Sequence, residues 1–179
     1  MSRAIRSITS LLMLALAMST SADQYRMVTP PESSLRALPA PQPNDDFYVH
    51  FTGHQTISGR FRFESKSDSP YWVSPYLLFF PNKESLASLP YLTERGAPEM
   101  PQKILISNPE KAAAALLGDE LAKKLNSGER PQLEGVATIV IDEFVAGFEC
   151  DEPSYVARFV QVDEVLAMAG DATNELGGC

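Results

Sequence analysis

Hydrophobic and polar residues alternate with a period of two in several stretches of this chain. Residues 57–64 give the cleanest case: Ile57, Gly59, Phe61 and Phe63 fall on one side, and Ser58, Arg60, Arg62 and Glu64 on the other. Successive side chains of a strand point to opposite faces, so this pattern predicts a half-buried strand with a charged outer face. Just before it, Phe47, Val49 and Phe51 alternate with Tyr48 and His50. Gly53 then permits a bend, so the two stretches read as one long first strand bent at a glycine. Residues 71–80 are β-rich with aromatics on both faces, as in a strand covered on both sides, and residues 103–107 read as a short buried strand. In the last third, Val136, Thr138 and Val140 oppose Ala137, Ile139 and Ile141, and Asp142-Glu143 marks a turn or a bulge before the strand resumes at 144–149. Residues 154–162 form a final strand in which Val156, Val160 and Val162 share a side with Arg158, and residues 163–169 read as one or two helical turns.

The period changes after residue 108. Asn108 is a good N-cap, Pro109 suits the first helical position, and Glu110 sits in the first turn, where the helix dipole favours a carboxylate. Leu117, Leu121 and Leu125 recur every four residues and make an apolar stripe. Lys123 and Lys124 lie near the end, and Asn126-Ser127-Gly128 stops the run. A helix over about 109–126 is predicted, with Gly118 able to split it. Asn82 can cap a second, shorter helix over 82–89, while residues 65–70 and 93–101 read as loops by composition.

The element order is therefore three strands, a small helix, a strand, a helix and two strands. With the bent first strand, the helix before the last two strands and about five strands in all, it resembles the OB-fold, a small Greek-key barrel, over roughly Phe47 to Val162. The expected fold class is mainly β (α+β). It is either a small OB-like five-stranded barrel or a twisted antiparallel sheet with one packed helix at about 109–126; an open antiparallel sheet plus helix is the alternative.

The two ends of the chain change this picture. Residues 1–22 place Arg3 and Arg6 before an apolar centre at Leu11–Met18 and then small residues up to Ala22, the layout of a cleavable secretory signal. The apolar centre is about half of what a membrane-spanning helix needs, and no later segment is long and apolar enough to cross a bilayer. Export to a periplasmic or extracellular space is therefore expected. Residues 23–46 hold five prolines and few large apolar side chains, which predicts an extended, disordered linker. The single globular domain is expected over 47–169, followed by a polar tail, 170–179, that carries Cys179. Of 179 residues, 15 are Lys or Arg and 23 are Asp or Glu, a net charge of −8 that becomes −10 once Arg3 and Arg6 are removed. Such a surface repels phosphate backbones, so nucleic acid is not an expected partner.

Candidate chemistry is sparse. Two cysteines in an exported chain point to one disulfide, Cys150–Cys179, closing a loop of about thirty residues worth roughly 3–4 kcal/mol in the chain-entropy model. Glu149, Asp151 and Glu152 surround Cys150 with negative charge, the wrong field for a thiolate nucleophile. His50 and His54 are spaced four apart, but on a strand that separates them by about 13 Å, so they are weak metal candidates and no cofactor is expected. Asp142, Glu143, Glu149, Asp151 and Glu152 crowd one region and could hold Ca²⁺ or serve as acid and base, although they lack the spacing of a calcium loop. Tyr48, Arg60, Arg62 and Arg158 could form a basic, aromatic face for an anionic ligand, since OB-fold barrels often bind on strand faces. The function expected from these observations is a small exported, non-enzymatic binding or interaction domain whose partner is a protein or an envelope component. An envelope hydrolase using the loop carboxylates, or a structural part of an envelope assembly, are the alternatives.

Overall fold

Alternation along residues 55–64 builds the centre of the molecule. The computed structural model describes residues 25–39, 48–65, 76–129, 132–149 and 152–168. The elements in order are β1 (Tyr25–Val28), β2 (Arg36–Ala37), β3 (Tyr48–Thr52), β4 (Gln55–Glu64), β5 (Tyr76–Pro81), α1 (Lys83–Ser88), β6 (Tyr91–Glu94), β7 (Ala97–Glu99), β8 (Ile104–Ile106), α2 (Pro109–Asn126), β9 (Gln132–Glu149) and β10 (Glu152–Met168). In β4, Ile57, Phe61 and Phe63 are buried while Arg60 is exposed, as the alternation requires.

A seven-stranded sheet runs in the order β10-β8-β5-β4-β9-β3-β2, and a three-stranded sheet in the order β1-β6-β7. β10 pairs with β9 as well as with β8, so the ladders around the core follow one another and the large sheet coils back toward itself. The β8–β10 link is parallel and only two residue pairs long, Val156↔Leu105 and Ala157↔Ile106. Beyond β4, β3 pairs with the later part of β9, and β2 pairs with the outer edge of β3. The result is a mostly β, twisted sheet with one main helix packed on it, not a closed barrel. The expected Greek-key element order is present; closure into a five-stranded barrel is not.

Gly53 bends the first long strand as expected. Its φ is +108°, in the region that favours glycine, and a Cβ there would lie 2.7 Å from the Ser34 carbonyl oxygen. On either side of the bend, β3 and β4 pair with successive parts of β9. A second irregularity sits opposite. Glu143 has φ +45°, and the buried set in β9 changes parity there, from Leu133, Ala137, Ile139 and Ile141 to Phe144 and Ala146. Asp142-Glu143 is thus a bulge inside one strand, which lets β9 keep apolar residues inward as the sheet curls.

Several expectations need correction. Part of the expected linker is folded: Tyr25–Val28 pair with β6, Arg36–Ala37 pair with β3, and Leu35 is fully buried. The prolines do not prevent this because the strands are short and sit at sheet edges, and Pro30 accepts a turn bond from the Ser33 N–H at 3.1 Å. Within the expected loop 93–101, Ala97–Glu99 form β7, paired with β6 across Arg95-Gly96, both at positive φ. Residues 163–168 are strand, not helix, because their ladder to β9 (Glu164↔Thr138 through Met168↔Gly135) overrides the local preference. α2 kinks at Gly118, φ 74° and ψ 166°, so its buried residues are Ala112, Ala113, Leu116 and Leu125, while Leu117 and Leu121 are only partly covered. Asn82 caps α1 as predicted, accepting from the Ser85 N–H at 2.9 Å. Asn108 makes no side-chain cap to α2; its amide faces β10 instead. The signal segment, the run 66–75, both cysteines and the tail lie outside the described residues.

Candidate functional site

The charged residues singled out from sequence occupy three separate places. Arg60 and Arg62 lie on the outer face of β4, and both are engaged. Arg62 donates from Nε to Glu134 at 2.6 Å, Arg60 reaches the same carboxylate at 3.4 Å, and Arg62 also lies 3.8 Å from Glu64. The Arg60 guanidinium stacks over Phe80, 4.4 Å from the ring centre. Burial pushes the Glu134 carboxyl up, but the hydrogen bond and charge of Arg62, helped by Gln132 and Arg60, outweigh it and hold the group below the usual carboxylate range.

Arg158 belongs to a different cluster, at the β9 bulge. It donates two hydrogen bonds to Asp142, at 3.0 and 2.7 Å, and lies 3.0 Å from Glu143. The Asp142 hydrogen bonds push the guanidinium pKa above its ordinary value. His54, largely exposed, lies 3.8 Å from Asp142. Tyr48 and His50 are exposed on β3, where their neighbours on β9 are Gly147 and Val145. On β9, Val136 faces Arg60, Asp142 faces Arg158 and Gly147 faces Tyr48. At ~3.3 Å per residue these three side chains are spread along roughly 36 Å of strand path. They do not form one ligand face. Among the described residues no three metal-ligating side chains come together, and His50 and His54 have no shared partner.

The concave feature lies elsewhere. A cleft of about 240 Å³ opens between β5, β8 and the start of β10, lined by Leu78, Lys103, Leu105, Glu149, Glu152, Pro153, Ser154 and Tyr155. Leu78 and Leu105 are register partners on β5 and β8, on the outward side of strands whose other side (Leu77, Phe79, Ile104 and Ile106) is core. Outward leucines from two adjacent strands give the cleft an apolar floor. Tyr155 forms its inner wall. Its hydroxyl donates to the Glu99 carbonyl and accepts from the Leu92 N–H at 3.0 Å, which ties the small sheet to the large one. Burial, with a further push from the Glu99 charge against the Leu92 hydrogen bond, raises this phenol to about 12, so it stays protonated at neutral pH.

Glu149 and Glu152 form the rim. They are the last residues of β9 and the first of β10, and they face each other as register partners. Neither makes an ion pair among the described residues; Lys103 borders the same cleft and closes on neither. From sequence both carboxylates belong to the crowded acidic region 142–152, offered there as calcium ligands or as acid and base. The predicted strands, 144–149 and 154–162, left Glu152 between them; the start of β10 at Glu152 is what makes the two acids cross-strand neighbours. No family model matches the chain, and no curated protein or solved structure is similar to it.

Proposed function

We propose that this chain is a small exported binding module that does no chemistry of its own, and that it engages its partner through the cleft between β5, β8 and the start of β10. The observation that carries this reading is the combination of an apolar floor (Leu78, Leu105, Pro153) with three rim charges, Lys103, Glu149 and Glu152, that have no partner within the described residues. Apolar surface supplies affinity, and a few placed charges supply orientation. Of the carboxylates that the hydrolase alternative draws on, Asp142 is engaged, both its oxygens accepting from Arg158. Export is supported by the composition of residues 1–22, and the Cys150–Cys179 disulfide follows from export.

The test is retention of a partner from envelope extract by the purified protein, beside a Ser154→Trp variant that fills the cleft. Wild type retains the partner and the variant loses most of it, with both proteins melting at similar temperatures. Equal retention by the two moves the binding surface elsewhere. Intact mass of the wild-type preparation, before and after reduction, reports the disulfide as a difference of two hydrogens.

A further inference from the structure

On the reading that the cleft is a binding site, we infer that its occupant is a cationic side chain, the Lys or Arg of a partner polypeptide with an aliphatic neighbour. Residues directly opposite each other in an antiparallel pair hold their Cβ atoms about 5 Å apart, and like charges so placed destabilise the hairpin. Glu149 and Glu152 are such a pair. Both are exposed, both line the cleft, and Lys103 does not reach either of them. Four other carboxylates on the sheet surface are compensated: Glu64 and Glu134 by Arg62, Asp142 and Glu143 by Arg158. Among the described residues the rim pair is therefore a double negative charge without an ion pair, above an apolar floor. A guanidinium or ammonium placed between the two carboxylates would complete it with charge-assisted hydrogen bonds. Leu78 and Leu105 would take the aliphatic neighbour, and Lys103, on the opposite strand, would meet main-chain carbonyls of the partner. The net charge of −8 adds long-range attraction for a basic partner.

The experiment is a titration of the purified protein followed by amide chemical shifts, with three probes: acetyl-Leu-Arg-Leu-amide, acetyl-Leu-Gln-Leu-amide and CaCl₂ alone. The arginine peptide is expected to shift the amides of Leu105, Glu149 and Ser154 and to bind roughly tenfold more tightly than the glutamine peptide at low salt. Most of that preference should disappear at about 0.5 M salt, where exposed charges are screened. The double variant Glu149→Gln, Glu152→Gln should bind both peptides alike. Equal binding of the two peptides by wild type, with shifts at the same amides, overturns the cation assignment and leaves the binding reading standing. No shift with either peptide overturns both. Shifts with CaCl₂ and none with the arginine peptide replace the side chain by a metal ion. Thermal unfolding gives an independent reading: Glu152→Gln should melt no lower than wild type, and a lower melting temperature would show that the opposed carboxylates are not repulsive.

Discussion

Asn108 stands at the start of α2, where sequence rules make it a cap, yet its side chain serves a strand. Its Nδ2 donates to the Phe159 carbonyl at 2.9 Å, and its Oδ1 accepts from the Phe159 N–H at 2.8 Å. The side-chain amide thereby occupies the free edge of β10 just beyond the short parallel link to β8, continuing the ladder after Ser107 N–H meets the Ala157 carbonyl at 2.9 Å. Only an amide carries both a donor and an acceptor in this geometry. The decisive substitution is Asn108→Asp. As an N-cap, Asp is equivalent to Asn and slightly favoured by the helix dipole, so a capping role predicts no loss. As a bridge, Asp keeps the acceptor, loses the donor and sets a carboxylate oxygen against the Phe159 carbonyl. One lost hydrogen bond together with an unpaired, part-buried carbonyl costs about 1–3 kcal/mol. With a urea slope of about 2 kcal/mol per molar for a domain of this size, the midpoint should fall by about 0.5–1.5 M. Hydrogen exchange supplies the local control, because in Asn108→Ala the Phe159 amide should lose protection before the amides of β4. An Asn108→Asp protein as stable as wild type would refute the bridge and restore the cap.

Two further predictions bear on the fold. Leu35→Ala should destabilise the protein by about 2–4 kcal/mol, as for other fully buried leucines; a neutral result in urea would mean that the proline-rich segment is not part of the core. Glu134→Gln tests the β4 charge network through pH. The folded carboxyl lies below its ordinary value of 4.5, so its contribution is fully present above that value and is lost as pH falls through the folded pKa. Wild type should exceed the variant by about 0.5–1 kcal/mol at pH 7, the scale of a half-exposed ion pair. The difference should vanish in acid, and a constant gap across that range would contradict the assignment.

What could be read in the sequence was local. The strand at 55–64, the bend at Gly53, the bulge at Asp142-Glu143, the Asn82 cap and the kinked helix at 109–126 each depend on residues a few places apart, and periodicity and glycine placement carry that information. Most of the failures were non-local. β1 has four residues and β2 has two, and they exist because β6 and β3 offer edges to them. Residues 163–168 include Glu, Leu, Ala and Met, good helix formers, and become strand because β9 extends far enough to pair with them. The Arg95-Gly96 connection lacks the Asn or Asp that announces a tight hairpin.

The same division separates the sites. From sequence, Arg60, Arg62 and Arg158 stood out as positive charges on strand faces of an acidic protein, and a free positive charge suggests an anionic ligand. Whether a charge is free depends on what lies across the sheet. Glu134 stands far from Arg60 and Arg62 in sequence and beside them in space, and Asp142 meets Arg158 only through the β9–β10 register. Each arginine the sequence offered is already answered by a carboxylate from β9. The rim of the cleft reverses this case, because Glu149 and Glu152 are each other's register partners, and among the described residues neither makes an ion pair. On the binding proposal, a charge becomes a recognition element where the register gives it no counter-charge. The sign of the rim charge would then favour a basic partner, the opposite of what the arginines alone suggested.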